Sequence, residues 1–263
     1  MKYFYSEAKV DYSKYLFPYQ VYLIKEDNDE VGHVYAKGFL PVRSIKDLYY
    51  LARSSRVNLK NFELSSENRR VIGKISNLYF EVKDMGQFQP KHRDFKLARK
   101  FVKDRFRGTT LNVVGLKKIF SDLGNYNKVA VFAEKGELMG FVALNATQEF
   151  VHYAHPFYDI GYREKSLGMG MMTMVVDWAK NSRREYAYLG TCYGEKSLYK
   201  TQFKGFEFFD GVSWSADLAK LKYLNSKDSG KNARHILQDR GFLKKYYNLP
   251  SLTRLVKKLK YDF

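Results

Sequence analysis

The residues best suited to chemistry lie between positions 151 and 214 of the chain. An extended run ends at Asp159, and a glycine-containing turn then opens an apolar helix pattern. Glycines let backbone N–H groups approach a phosphate or a chain end at a helix N-terminus. A second strand pattern and a segment with lysine and tyrosine follow, so the order predicts a site for an anionic ligand. The candidate binding residues are Ser166, Leu167, Gly168, Gly170, Tyr188, Gly190, Lys196, Tyr199, Lys200 and Gln202.

Two neighbouring residues, Tyr158 and Asp159, are the candidate catalytic groups. A carboxylate at the end of an apolar strand could hold an amine or accept its proton. The competing interpretation of Asp159 is a cap or turn residue before Gly161. His152 and His155 lie three apart on an extended run, so we expect them to point to opposite faces and at most one to line the site. A packed histidine is the competing interpretation of each.

Lys196 and Lys200 lie four residues apart and share one face if their segment is an α-helix. With Tyr199 they could hold a phosphate and stack on a terminal adenine; the alternative is a solvated basic face. The spacing of Lys165, Gly168 and Gly170 also nearly fits the pyrophosphate loop of acetyl-CoA enzymes. That similarity keeps a CoA-dependent reaction open.

The order of these short motifs resembles the arginyl-tRNA–protein transferase family and its bacterial leucyl relatives. The resemblance rests on Tyr158-Asp159, Ser166-Leu167-Gly168, Tyr188-Leu189-Gly190, Lys196 and Tyr199-Lys200. Arg56, Phe62 and residues 65–71 resemble a second motif of the family, closer to the N-terminus. The resemblance implies a GNAT-like acyltransferase fold and transfer of arginine or leucine from aminoacyl-tRNA to the N-terminal α-amine of a protein or peptide.

The family carries a cysteine cluster that in some members holds a metal or an iron–sulfur centre. The corresponding stretch here, residues 38–50, contains no cysteine. We therefore expect no metal, no iron–sulfur cluster and no cofactor beyond aminoacyl-tRNA as the donor substrate. The single cysteine, Cys192, rules out an intramolecular disulfide and is interpreted as structural.

The composition indicates a folded protein, since 45% of the 263 residues are hydrophobic and 17% are aromatic. There is no run of 18 apolar residues, and the N-terminus lacks the pattern of a signal peptide. The sequence thus predicts a cytoplasmic globular protein, expected to be a monomer without a membrane partner.

The charge favours a polyanionic partner such as tRNA, because 46 basic residues face 28 acidic ones, a formal net charge of +18. A basic proteome or a solubility device is the competing explanation. The 22 Tyr and 20 Phe residues suit stacking on unpaired bases, although most of them are expected to fill the core.

The periodicity predicts an α+β protein in three parts. Residues 1–90 form a small β-rich subdomain with strands at 21–24, 34–40 and 78–82, ending in a linker at 85–90. Residues 91–215 form the GNAT-like transferase domain, a mixed and mostly antiparallel sheet flanked by helices. Its predicted elements are helices from 92, at 114–123 and at 169–180, a hairpin over 128–144, and strands at 150–158, 186–190 and 206–214.

Residues 216–263 form a basic helical C-terminal extension with 12 Lys/Arg and 4 Asp/Glu. After Pro250 the pattern predicts a short amphipathic helix with lysines on its polar side. Either the apolar side of this helix packs on the protein and its basic side is merely solvent-exposed, or the helix is an appendage that contacts phosphates.

Three functions remain open on the sequence. The leading hypothesis is an aminoacyl-tRNA–protein transferase. The alternatives are a CoA-dependent GNAT N-acetyltransferase, which does not need the high positive charge, and a non-catalytic tRNA- or RNA-binding protein on the same fold.

Overall fold

The computed structural model of the 263-residue chain describes residues 1–7, 19–43, 45–105, 113–121, 125–228 and 239–261. The strands are β1 (Lys2–Glu7), β2 (Tyr19–Ile24), β3 (Phe39–Pro41), β4 (Leu48–Leu51), β5 (Ser54–Asn58), β6 (Tyr79–Asp84), β7 (Lys128–Glu134), β8 (Glu137–Ala146), β9 (Phe150–Tyr158), β10 (Tyr186–Thr191), β11 (Phe206–Phe209) and β12 (Trp214–Ser215). The α-helices are α1 (Val31–Ala36), α2 (Ser66–Gly73), α3 (His92–Arg105), α4 (Val113–Ile119), α5 (Leu167–Asn181), α6 (Leu218–Lys227), α7 (Arg240–Tyr247) and α8 (Leu252–Tyr261). A 3-10 helix spans Glu195–Gln202.

The described strands form two sheets. The large sheet has the order β12-β11-β5-β10-β9-β8-β7-β6, and the small one has the order β1-β2-β4-β3. Neighbouring strands are antiparallel except β9 and β10, which are parallel. A parallel pair needs a crossover connection, and α5 supplies it. The predicted α+β class, with a mostly antiparallel sheet flanked by helices, is confirmed.

The large sheet is buried on both faces by helices. On β8, Val142 and Leu144 pack into the cluster that contains α5, while Phe141 and Ala143 pack into the cluster that contains α3 and α4. This explains why residues 138–144 of β8 are apolar without interruption, where a sheet with one solvated face would alternate.

The predicted strand at 34–40 is wrong in its first half. Residues Val31–Ala36 form α1, which buries Val34 and Tyr35 against the sheets, and only Phe39 begins a strand. Gly38 makes the turn between them with a φ of +83°, and a Cβ there would collide with the Phe209 ring. Valine and tyrosine favour strands in composition, but burial at helical spacing decides the structure here.

The large sheet crosses the predicted boundary at residue 90. Strand β5 pairs with both β10 and β11, and β6 pairs with β7. Backbone pairing from both sides of residue 90 argues against a separate subdomain that ends there. The prediction missed this because strand pairing between distant segments leaves no local signal.

The C-terminal helices pack on the same body. Leu221 and Leu224 of α6 and Phe242 of α7 share a cluster with Phe206 and Phe208 of β11. The amphipathic helix predicted after Pro250 is α8, and its Leu255 is buried. No helix among the described residues has both the length and the apolar character that crossing a membrane requires.

Candidate substrate pocket

A pocket of about 550 Å³ opens where the end of β9 meets the start of α5. This volume lies in the range of small-molecule sites. Its walls come from α2, the C-terminal turns of α3, β9, the first turns of α5 and the 3-10 helix. The lining residues are Glu67, Val71, Phe101, Arg105, Tyr153, Pro156, Tyr158, Ser166, Gly168, Met169, Met172, Tyr199 and Gln202.

A β-bulge at Ala154 decides which side chains of β9 face the pocket. Ala143 pairs with His155 but Leu144 pairs with Tyr153, so Ala154 is an extra residue on the β9 side. The bulge shifts the alternation by one position. Tyr153, Pro156 and Tyr158 therefore line the pocket together, although 153 and 156 have opposite parity.

The same bulge puts His152 and His155 on the other face of the sheet, so the expectation that they point to opposite faces is wrong. His152 Nδ1 lies 2.9 Å from the hydroxyl of Tyr35, and His155 Nε2 lies 2.7 Å from that of Tyr126. Burial lowers the pKa of each imidazole to about 3. Both are packed, neutral histidines outside the pocket.

The first turn of α5 approaches Tyr158 closely. A Cβ on Gly168 would lie 2.5 Å from the Tyr158 hydroxyl, so this position needs glycine. Ser166, with a φ of 58°, turns the chain into the helix, and its side chain makes no capping hydrogen bond. The N-terminal N–H groups of an α-helix lack helical partners, so this wall offers donors to a ligand.

Two charged residues border the pocket. Arg105, in the last turn of α3, donates a hydrogen bond of 3.0 Å from Nη2 to the Tyr158 hydroxyl. Glu67, in the first turn of α2, accepts two hydrogen bonds of 2.6 Å from Arg70. The hydrogen bonds from Arg70 lower the pKa of Glu67. A capping box between Ser65 and Asn68 fixes the start of α2.

Tyr153 lies deepest among the tyrosines of the pocket. Only 3% of the residue is exposed, and its hydroxyl has no hydrogen-bond partner within the described part of the chain. Burial raises its pKa well above 10, and the phenols of Tyr199 and Tyr158 raise it further. The group therefore stays protonated and can donate.

Five of the residues predicted from the motifs line the pocket: Tyr158, Ser166, Gly168, Tyr199 and Gln202. Asp159 does not. Its side chain accepts a hydrogen bond of 3.0 Å from the backbone N–H of Gly161. Asp159 follows the last residue of β9 and its carboxylate bonds to the backbone two residues later, so the structure supports the turn interpretation.

The other motif residues serve packing. Leu167 is buried in the core, and Gly170 allows Ile75 to approach, since a Cβ there would collide with the Ile75 side chain. Tyr188 packs among Tyr35, Phe150 and Trp214. Gly190 has a φ of +80° beside a register shift between β10 and β5.

The two lysines do not share a surface. Lys196 is exposed, whereas Lys200 is 8% exposed and donates a hydrogen bond of 2.7 Å from Nζ to the carbonyl of Thr191. Burial lowers the pKa of Lys200 to about 8. The segment is a 3-10 helix of three residues per turn, so residues four apart diverge. Lys200 is therefore not an exposed phosphate contact.

Sequence reasoning missed the far wall of the pocket. The motif of residues 65–71 contains Glu67 but gives it no role at a site. The periodicity predicts only a helix for Phe101 and Arg105 and a strand for Tyr153. Glu67, Phe101 and Arg105 come from α2 and α3, and only the tertiary packing brings them to α5. Tyr153 lies on β9, and its position in the pocket could be predicted only by locating the bulge at Ala154.

Comparison with known proteins gives a partial match in sequence. The chain is 28% identical over 82 residues to an aspartate/glutamate leucyltransferase of Saccharophagus degradans. The match covers 30% of this chain and 35% of that protein, so the chain spans about a third of the curated relative it matches. No protein-family model matches the chain.

Two solved structures illustrate the likeness in fold. One is the C-terminal domain of a putative lysylphosphatidylglycerol synthetase from Agrobacterium fabrum, with a TM-score of 0.45 and 15% identity, covering 91% of this chain and 63% of that one. The other is FemX, with a TM-score of 0.41 and 11% identity, covering 62% of this chain and 60% of that one. TM-scores below 0.5 make the likeness too distant to transfer a function.

Proposed function

We propose that this protein is an aminoacyl-tRNA–protein transferase, which moves an amino acid from aminoacyl-tRNA to the N-terminal α-amine of a protein or peptide. The observation that carries the proposal is that five residues of the predicted motifs meet in one pocket at the start of α5. The partial match to a leucyltransferase supports the same class of reaction. The reaction needs no metal or cofactor, which stays a prediction.

The reaction requires the protein mainly to position the two substrates. The aminoacyl ester is already activated, and an α-amine has an ordinary pKa of about 8, so a useful fraction is neutral near pH 7. Orientation of the two substrates and stabilisation of the developing oxyanion then supply most of the acceleration. The α5 N-terminus and the tyrosine hydroxyls of the pocket are the donors in place for this task.

In this proposal Glu67 has the role that was predicted for Asp159. It is the carboxylate among the residues that line the pocket. Because its hydrogen bonds with Arg70 lower its pKa, it remains ionised and is a weak base. It is therefore suited to orient an incoming ammonium or amine by charge rather than to remove its proton.

The lining favours leucine over arginine as the donated residue. Val71, Phe101, Met169 and Met172 give the pocket apolar walls. Glu67 is paired with Arg70 and is assigned here to the acceptor amine, so the guanidinium of a donated arginine would find no second carboxylate among the lining residues. An aliphatic side chain would lose its contact with water against the apolar walls without that penalty.

The positive charge supports tRNA as the donor. The formal net charge of +18 favours a nucleic acid, and Arg105 lies at the pocket itself. Lys196 and the exposed basic residues of α8, Arg254, Lys257 and Lys258, are candidates for phosphate contacts. The cytoplasm is the proposed location, because the donor substrate is charged tRNA.

The CoA-dependent alternative loses its main support. Gly168 and Gly170, which fitted a pyrophosphate loop, are both required for close packing, against Tyr158 and Ile75. Packing therefore explains these glycines without a bound cofactor.

The test is incubation with a pool of charged tRNAs and peptides of varied N-terminal residue, followed by mass spectrometry. The expected product is a peptide that gains one leucine at its N-terminus. Acetylation from acetyl-CoA with no aminoacyl transfer would establish the CoA-dependent alternative. Saturable tRNA binding without either reaction would establish a non-catalytic RNA-binding protein.

A further inference from the structure

The buried hydroxyl of Tyr153 is unlike those of two other buried tyrosines. Tyr35 and Tyr126 each lie within hydrogen-bond distance of a histidine. The Tyr153 hydroxyl is also buried, yet it has no hydrogen-bond partner among the described residues. A buried polar group without a partner costs free energy, so it is rare unless something outside the chain completes it.

The position of this hydroxyl relates it to a ligand. Tyr153 lines the pocket from β9, on the same wall as Pro156 and Tyr158. The bulge at Ala154 is what gives these three residues a common side. Tyr153 and the first turn of α5 therefore line the same cavity, and the missing partner of the Tyr153 hydroxyl is an independent observation.

We propose that the Tyr153 hydroxyl is a catalytic hydrogen-bond donor to the acyl oxygen of the aminoacyl ester. This inference rests on the proposed function and adds a residue to it. The other tyrosines of the pocket differ in how their hydroxyls are satisfied. The Tyr158 hydroxyl accepts a bond from Arg105 and so has a partner within the protein, and Tyr199 is half exposed, so water competes for its hydroxyl.

The step is aminolysis. The nitrogen of the acceptor amine attacks the ester carbon, a C–N bond forms, and the carbonyl π pair moves to the acyl oxygen, which becomes an oxyanion bonded to Tyr153. When the C=O bond re-forms, the C–O bond to the tRNA ribose breaks. The amine loses one proton and the ribose oxygen gains one, so Tyr153 keeps its own proton throughout. A donor held away from water stabilises such an oxyanion more than an exposed one does.

The test is Tyr153→Phe in the full chain, assayed with charged tRNA and acceptor peptide. We expect kcat to fall by about 100-fold, in the range for loss of one oxyanion donor, with KM within a factor of three. The melting temperature should stay the same or rise, because the variant removes an unsatisfied buried group. Tyr126→Phe is the matched control: it loses the contact with His155, so it should melt lower while its kcat stays within a factor of three.

The outcomes separate this inference from the proposed function. If the wild-type protein transfers no amino acid, both fail. If the wild type is active and Tyr153→Phe keeps its kcat within threefold, the function stands and the role of Tyr153 is overturned. A kcat loss with a drop in melting temperature as large as that of Tyr126→Phe would also overturn it, since the hydroxyl would then have a partner within the protein.

Discussion

The two faces of β9 differ in how completely their polar groups are paired. On one face, His152 is buried and His155 is half-buried, and each contacts a tyrosine hydroxyl. On the other, Tyr153 and Tyr158 line a cavity, and the Tyr153 hydroxyl has no partner among the described residues. A stable fold gives nearly all of its buried polar groups a hydrogen-bond partner. A ligand is therefore expected on the face where a buried group lacks one. One strand thus separates a face with paired polar groups from the face of the proposed site.

The largest effect is expected from removing the bulge that sets the two faces. Inserting one alanine between Ala143 and Leu144 of β8 gives Ala154 a partner, closes the bulge and shifts every later residue of β9 to the opposite face. Tyr158 would turn into the core and Phe157 would turn to the pocket, which should cost more than about 4 kcal/mol in the free energy of unfolding. Urea unfolding monitored by circular dichroism measures it. An insertion variant that unfolds at the wild-type midpoint would refute the bulge as the determinant.

Acid should destabilise the protein through the histidine face. The folded pKa of each histidine is about 3 and the unfolded value is about 6.5, so between these pH values the unfolded state binds more protons. Stability is fully present above pH 6.5 and falls as the pH decreases. From pH 6.5 to 5 the loss should be about 2 kcal/mol for each histidine.

Denaturant titrations at pH 7, 6 and 5 measure this loss. His155→Gln retains a side chain that can bond to Tyr126 and cannot titrate, so it should remove about half of the pH dependence. An unchanged dependence in that variant would mean that other groups cause the acid sensitivity.

The pocket face is tested by Gly168→Ala. The added Cβ would lie 2.5 Å from the Tyr158 hydroxyl, and an aromatic ring held between helices has little freedom to move. We expect a loss of about 1–3 kcal/mol in stability and lower transfer activity. Gly73→Ala is the control, because a Cβ there meets nothing within 4 Å and alanine favours the helix. Equal stability of the two variants would mean that the close approach at Gly168 does not matter.

The smallest effect concerns the exposed lysine beside the pocket. Lys196→Ala should lower the slope of log affinity for tRNA against log salt concentration by about 0.9, the contribution of one phosphate contact. Lys200→Met should leave that slope unchanged, because the Lys200 ammonium is buried and bonded to a carbonyl. Filter binding of tRNA at several salt concentrations measures the slope for each variant. The reverse pattern would restore Lys200 as the phosphate contact.

Local patterns predicted most of the elements around the site. The helix that starts at His92, the hairpin of β7 and β8, and the crossover through α5 follow from periodicity and turn residues. The sequence of residues 31–40 misled because valine and tyrosine suit both helices and strands. It took the burial of Tyr35 between two sheets to decide the structure.

The candidate site was predicted only in part, for physical reasons. The residues next to the glycine turn were found because they are close in sequence. Glu67 and Arg105 were missed because they reach the pocket through packing of α2 and α3. Lys200 was misjudged because the difference between an α-helix and a 3-10 helix changes which residues share a face, and composition does not distinguish the two.

The place of β5 in the sheet has a consequence for synthesis on the ribosome. This strand lies between β10 and β11, so both of its edges are covered by segments that begin at Tyr186 and Phe206. During translation Ser54–Asn58 emerges long before either partner exists. An unpaired strand with two open edges is prone to pair with other chains. Slow closure of such distant contacts would make the nascent protein dependent on chaperones until its second half has been made.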